Sequence, residues 1–293
     1  MIRDGFHGLQ LLKLLFVILL MLVHWGIEAY KWQCLVRTIQ PFSFWRALRS
    51  VLSGQAIGLN TVNKIGEPAG RILFLEEGNR LRGVVLWGVG GMSQAIITYV
   101  TGILALAYMR VYLLDDTHQL EGLSVFWIDG LIYTITIGIF LFILFYFRLS
   151  WFIKILEKIP FIARHKYFVE KLEDFHWKEL TGLLFLSFCR YVVFVVQYVL
   201  LLQVFDVKIP VVDSVSMIAV MFLVLAIVPT ISLAEIGFRG TLGLQLFGLL
   251  SKNAIGIVAT ATGIWIINMA VPAIAGTLFI LGIRIFRYKQ VDG

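Results

Sequence analysis

Long uncharged runs of apolar residues constrain this chain more than any other feature. Eight apolar segments stand out, at about 9–33, 43–62, 84–109, 125–147, 180–204, 214–229, 233–250 and 254–283. Several reach the roughly 20 residues that a helix needs to cross a hydrocarbon core. Charged residues make up only 15% of the chain, against roughly 25% in a soluble domain, which is too few to build a water-facing surface. The fold class read from the sequence is therefore an all-α integral membrane protein, a polytopic helical bundle forming a single transmembrane domain over residues 1–293.

Three of the eight segments are interrupted. The segment 43–62 carries Arg46, Arg49, Gln55 and Asn60, while 214–229 and 233–250 are short and separated by Pro229, with Glu235 and Arg239 close behind. These read as helices that enter the membrane and break. The other five read as full spans. The first run, which lacks a small-residue cleavage site, reads as a retained helix rather than a signal peptide.

A net charge of +7 could point to nucleic acid, but the Lys and Arg residues gather between the apolar runs, as the positive-inside rule requires. No nucleic-acid partner is expected. Cys34 and Cys189 lie in or beside apolar runs without Cys-x-x-Cys spacing, so they imply neither a disulfide framework nor a metal. The chain contains no phosphate loop, no HExxH and no GxSxG, so neither ATP hydrolysis nor a cofactor is expected.

Loop charge sets the sides. The connection 148–179 holds Arg148, Lys154, Lys158, Arg164, Lys166, Lys171 and Lys178 and reads as cytoplasmic, as does the C-terminal tail with Arg284, Arg287 and Lys289. The connections 110–124 and 205–213 are acid-rich and read as external, which places the N-terminus outside and 64–83 inside. With those sides, residues of about 9–109 form one repeat and about 180–283 a second of opposite orientation, joined by the span 125–147. Each repeat contains one re-entrant or broken region. Inverted repeats with interrupted helices in matching places point to a transporter whose site lies between the repeats near the midplane.

The two interrupted regions also resemble each other. One reads TVNKIGEPAGRILFL from Thr61 and the other TISLAEIGFRGTLGL from Thr230, each with a Glu followed four residues later by an Arg: Glu67 with Arg71, and Glu235 with Arg239. Charges at membrane depth cost at least about 2.5–3.5 kcal/mol on insertion scales, so they persist where they face protein, water or a ligand. Two readings are open for each pair. The Glu and Arg, one helical turn apart, neutralise each other; or the arginines join the free N–H groups of a broken helix in binding phosphate, for which their planar fork is suited. Arg190, near the middle of 180–204 with no acid in its own helix, needs a partner from elsewhere, either Glu67, Glu235 or an anionic substrate. Asn63, Lys64 and Ser232, in the broken regions, complete the candidate site. Glu28 and Lys31, at helical spacing toward the inner end of the first segment, read as an interfacial pair that snorkels. Asn268 and Pro272 predict a disturbed helix, because proline frees the Asn268 carbonyl.

Gly66, Glu67 and Arg71, followed by Pro229, Ser232, Gly237 and Arg239, give the chain a pattern that resembles the flippase-like family that includes the transmembrane region of lysylphosphatidylglycerol synthases. Arg71 follows Glu67 one residue later than in that pattern, and Gly240 stands where the family usually has Glu. The resemblance implies movement of a lipid between leaflets, without lipid aminoacylation, since no soluble transferase domain accompanies it.

The function expected from the sequence is a lipid translocase of the cytoplasmic membrane, C-terminus cytoplasmic. It would pass an anionic phospholipid or polyprenyl-phosphate-type lipid along a cationic groove between the repeats, with protons or another coupling ion as a further partner. Arg71, Arg190 and Arg239 would bind phosphate, and Glu67 and Glu235 would hold the arginines or carry protons. The alternatives are a membrane enzyme acting on a lipid-linked phosphate and an ion-coupled carrier of small solutes.

Overall fold

A computed structural model describes residues 8–62, 64–114, 125–148, 175–230 and 232–289. Among them the regular structure is helical throughout, with no strand. The helices are α1 (Leu9–Val36), α2 (Phe44–Gly58), α3 (Glu67–Ile72), α4 (Arg80–Tyr112), α5 (Val125–Phe147), α6 (Trp177–Val204), α7 (Val211–Ile227), α8 (Ser232–Phe247), α9 (Ala254–Trp265) and α10 (Val271–Lys289). A π-helical turn, Ile266–Ala270, joins α9 to α10. Five helical stretches among the described residues are long and apolar enough to cross a membrane: Gln10–Val36, Glu77–Tyr112, Phe126–Phe147, Trp177–Val204 and Ala254–Gly282. These coincide with the five segments expected to span. The chain is a helical membrane protein.

Local chemistry sets the helix ends. Ser43 Oγ accepts the Arg46 N–H at the start of α2, and Asn253 Oδ1 accepts the Gly256 N–H at 3.0 Å at the start of α9. Pro229 lies in the break between α7 and α8, where its missing N–H and its restriction on Val228 end the first helix. The π-helical turn falls where Pro272 cannot donate to the Asn268 carbonyl, which accounts for the irregularity expected there.

Contacts along the helices give their directions. Lys13 Nζ donates to Gln203 at 2.9 Å, Gln197 Nε2 to the Val17 carbonyl at 2.9 Å, Arg190 Nε to His24 at 3.1 Å and Lys31 Nζ to Ser187 at 3.4 Å. As numbering rises along α1 it falls along α6, so the two helices are antiparallel and cross near His24 and Arg190. The same logic makes α4 antiparallel to α7, since Tyr108 donates to Asp213 at 3.0 Å while Gly102 lies against Ala219 and Leu223. It also makes α2 antiparallel to α10, since Arg49 stacks over Phe279 and Ser53 bonds to Gly276.

Two apolar clusters make up the core. One gathers Trp32, Val51 and Leu86, the other Tyr198, Met217 and Phe247. The change from one to the other falls between Val17 and Trp25 on α1, between Leu183 and Tyr191 on α6, and between Ile96 and Ile103 on α4. Buried polar side chains collect at and beside that change. Large apolar residues such as Phe126, Tyr133, Ile137 and Phe140 face outward, which suits a helix solvated by lipid.

Candidate functional site

The six residues of α3 are too few for a helix that stands alone, so packing holds it. Its backbone lies directly on α2: a Cβ at Gly70 would run into the Ser53 carbonyl and Gly54 N, and one at Gly54 would come within 2.7 Å of Arg71 Cγ. Trp32 Nε1 donates to Ser50 Oγ at 2.8 Å, and Ser50 Oγ donates to the Arg71 carbonyl at 2.8 Å. The Arg71 guanidinium lies 5.3 Å from the centre of the Trp32 ring. Small residues on α2 and α3 thus bring Arg71 inside, where it is 4% exposed.

Arg71 is paired with two acids there. It forms an ion pair with Glu67 on its own helix, and its Nη2 meets Glu28 Oε1 at 2.7 Å. Glu28 in turn takes Lys31 Nζ and Arg190 Nη1 on its other oxygen, each at 3.0 Å. Three cations from α1, α3 and α6 therefore converge on one carboxylate. This corrects two readings of the sequence. Glu28 and Lys31 do not snorkel, being 4% and 2% exposed; and the acid partner of Arg190 is Glu28, not Glu67 or Glu235. The helix runs on to Val36, so Glu28 lies eight residues, roughly 12 Å, from its end.

Arg190 makes two further bonds, to His24 Nε2 at 3.1 Å and to Gln94 Oε1 at 3.4 Å. A guanidinium only donates, so His24 Nε2 accepts, and its single proton sits on Nδ1, which has no partner among the described residues.

The second Glu–Arg pair has different surroundings. Arg239 bonds to Glu235 through Nε and Nη2, but its Nη1 is buried without a partner among the described residues. Nearby Lys64 holds a left-handed backbone conformation at φ 58°, which costs a non-glycine residue on the order of 1–2 kcal/mol. Such strain persists where the surroundings require it, often at functional sites. The turn that imposes it is closed by the Gly66 N–H on Thr61 Oγ1 at 2.9 Å and the Glu67 N–H on the Lys64 carbonyl at 2.8 Å.

These side chains line two cavities. One, of about 350 Å³, has Lys64, Arg190, Glu235, Arg239, His24 and Asn268 in its wall. The other, of about 390 Å³, has Glu28, Lys31, Gln55, Glu67 and Arg71. Trp25, Lys64, Gln94 and Arg190 belong to both walls, so the cavities adjoin. Six of the eight residues singled out from the sequence are brought together here. Asn63 lies outside the described residues, and Ser232 begins α8, next to the break. Sequence reasoning missed Glu28, Lys31 and His24, although His24, Glu28 and Lys31 stand at i, i+4 and i+7 and form a polar stripe on an otherwise apolar helix.

The cluster is unbalanced. Lys31, Lys64, Arg71, Arg190 and Arg239 face three carboxylates, Glu28, Glu67 and Glu235. Chemically this is a concave, donor-rich, cation-excess site buried among apolar helices. Fold and site together define a polytopic helical membrane protein with a buried charged chamber. Protein-family models, curated proteins and solved structures give no match to the chain.

Proposed function

We propose that this chain is a lipid translocase that moves an anionic phospholipid or polyprenyl-phosphate-type lipid between leaflets of the cytoplasmic membrane, with the head group passing through the charged chamber. One observation carries the reading: Lys64, Arg190 and Arg239 converge on one cavity, where Arg239 Nη1 has no partner among the described residues, in a cluster whose positive charge exceeds its negative. An excess of buried cations is costly unless an anion shares the space, and phosphate supplies both charge and acceptors.

The arrangement of helices supports the two-repeat part of the reading. α1 and α6 have 28 residues each and begin 168 residues apart, at Leu9 and Trp177; Glu67 and Arg71 return at the same interval as Glu235 and Arg239. The two matching long helices run antiparallel. The cross-packing is reciprocal as well, since α4 of the first half lies on α7 of the second and α10 of the second lies on α2 of the first. In a bilayer this pattern is an inverted repeat about an axis through the α1–α6 crossing, where Arg190 sits near the middle of a helix about 42 Å long. α2 and α7, with 15 and 17 residues, span less than about 26 Å and act as the re-entrant half-helices. The cytoplasmic side carries 148–179 and the C-terminus.

The enzyme alternative draws on one observation, the presence of His24 in the cavity. Its free nitrogen bears the proton, however, so it serves as a further donor to an anion rather than as a nucleophile or base.

The test is lipid movement in proteoliposomes, read by dithionite quenching of a head-group-labelled anionic lipid. Arg190→Gln and Arg239→Gln should each slow it on the order of 100-fold while the protein still purifies folded. Lipid movement at the wild-type rate by a Glu235→Gln, Arg239→Gln double variant would make that pair structural and end the cationic-groove mechanism for it. Phosphate release from the lipid would favour the enzyme instead, and uptake of free glycerol phosphate without lipid movement would favour a solute carrier.

A further inference from the structure

The chamber has two halves in different conditions, and the difference points to a second anion site. On one side Arg239 Nη1 has no partner, and no ion pair holds Lys64 among the described residues. On the other side, Arg71, Lys31 and Arg190 are all engaged by the single carboxylate of Glu28, at 2.7, 3.0 and 3.0 Å. A carboxylate ion-paired with three cations contributed by three helices, and accepting a hydrogen bond from Arg71, occupies the place of an oxyanion ligand. A phosphate offers the same acceptor atoms at similar distances.

We propose that the cavity beside Arg71 is a second phosphate subsite, which the side chain of Glu28 fills when no head group is there. Built on the translocase reading above, it supplies what that reading needs, a second station for the same head group. Phosphate first meets Lys64 and Arg239, then displaces Glu28 from Arg190 and Arg71, with Lys64 and Arg190 standing in the wall between the two stations. An independent feature of the cavity wall agrees: Gln55, 1% exposed, has a buried Nε2 with no partner among the described residues, a further unused donor beside this cavity. Arg71 also lies over the Trp32 ring, 5.3 Å from its centre, and the Trp32–Ser50–Arg71 bonds fix its backbone, so the cation stays in place when the carboxylate leaves. Glu28 is on this account a positioning residue and a tethered competitor of substrate.

The experiment is calorimetric titration of the full-length protein in detergent with glycerol 3-phosphate as the probe. Wild type should bind one per chain. Glu28→Gln should bind two, the second about tenfold or more tighter than any second event in wild type, and adding Arg71→Gln to that variant should return it to one. A folded Glu28→Gln protein that binds only one overturns the second subsite and leaves the first intact. A wild type that binds none overturns the head-group reading itself, and the second subsite with it. If Glu28→Gln does not fold, Glu28→Asp carries the test, because its shorter side chain keeps the charge but cannot span Arg71 and Arg190 together; the second site should then fill at a lower probe concentration than in wild type, and an unchanged isotherm would contradict the proposal.

Discussion

Arg71 and Arg239 each reach back one helical turn to a glutamate, but Arg71 is packed against α2 and paired with a second acid, whereas Arg239, in the wall of its cavity, has a buried Nη1 without a partner among the described residues. The glycines around them differ in the same sense. Gly54, Gly66 and Gly70 lie so close to neighbouring atoms that a Cβ would collide, while a Cβ at Gly237 or Gly240 would meet nothing within 4 Å among the described residues. An identical i, i+4 spacing therefore yields one arginine that is covered by a second acid, Glu28, and one that is not, which is the difference between the two stations.

Breaking the twice-paired arginine should have the largest effect on stability. Arg71→Gln leaves Glu67 without its cation and takes one of three from Glu28, which should cost about 3–5 kcal/mol, measured as loss of thermal stability in detergent. Combining it with Glu67→Gln should recover most of that loss. Full stability for Arg71→Gln alone would erase the contrast between the two pairs. A smaller effect should follow from Gly54→Ala, whose methyl meets Arg71 Cγ at 2.7 Å and the Glu67 carbonyl at 2.8 Å; overpacking there should cost about 1–3 kcal/mol. The smallest change should run the other way. Gly237→Ala places a methyl in open space inside α8 and should raise stability by about 0.5–1 kcal/mol through helix propensity alone. Equal shifts for the two glycine variants would mean that the halves are packed alike.

The five long helices were legible because each carries its own signal, an apolar run of about 20 residues that needs no partner to be recognised. The break at Pro229 and the i, i+4 pairs were equally local. Arg190 was legible as a charge without local company, but its partner was not, because the α1–α6 crossing that brings Glu28 to it joins residues 162 positions apart. Glu28 and Lys31 were misread for a related reason: near the end of an apolar run an acid and a base at i, i+3 look like an interfacial pair, and only the extension of α1 to Val36 carries them inside. The second acid on Arg71, and its absence from Arg239 among the described residues, depend on packing between helices, on which the matching motifs are silent.

The central claim, that the chamber receives a phosphate head group, is tested most directly by an experimental density map of the protein in nanodiscs containing an anionic phospholipid. A tetrahedral density within hydrogen-bonding distance of Lys64, Arg190 and Arg239, with its tails leaving between helices toward lipid, is the predicted result. A chamber that holds only water or an acyl chain while Arg239 closes entirely onto Glu235 would contradict it.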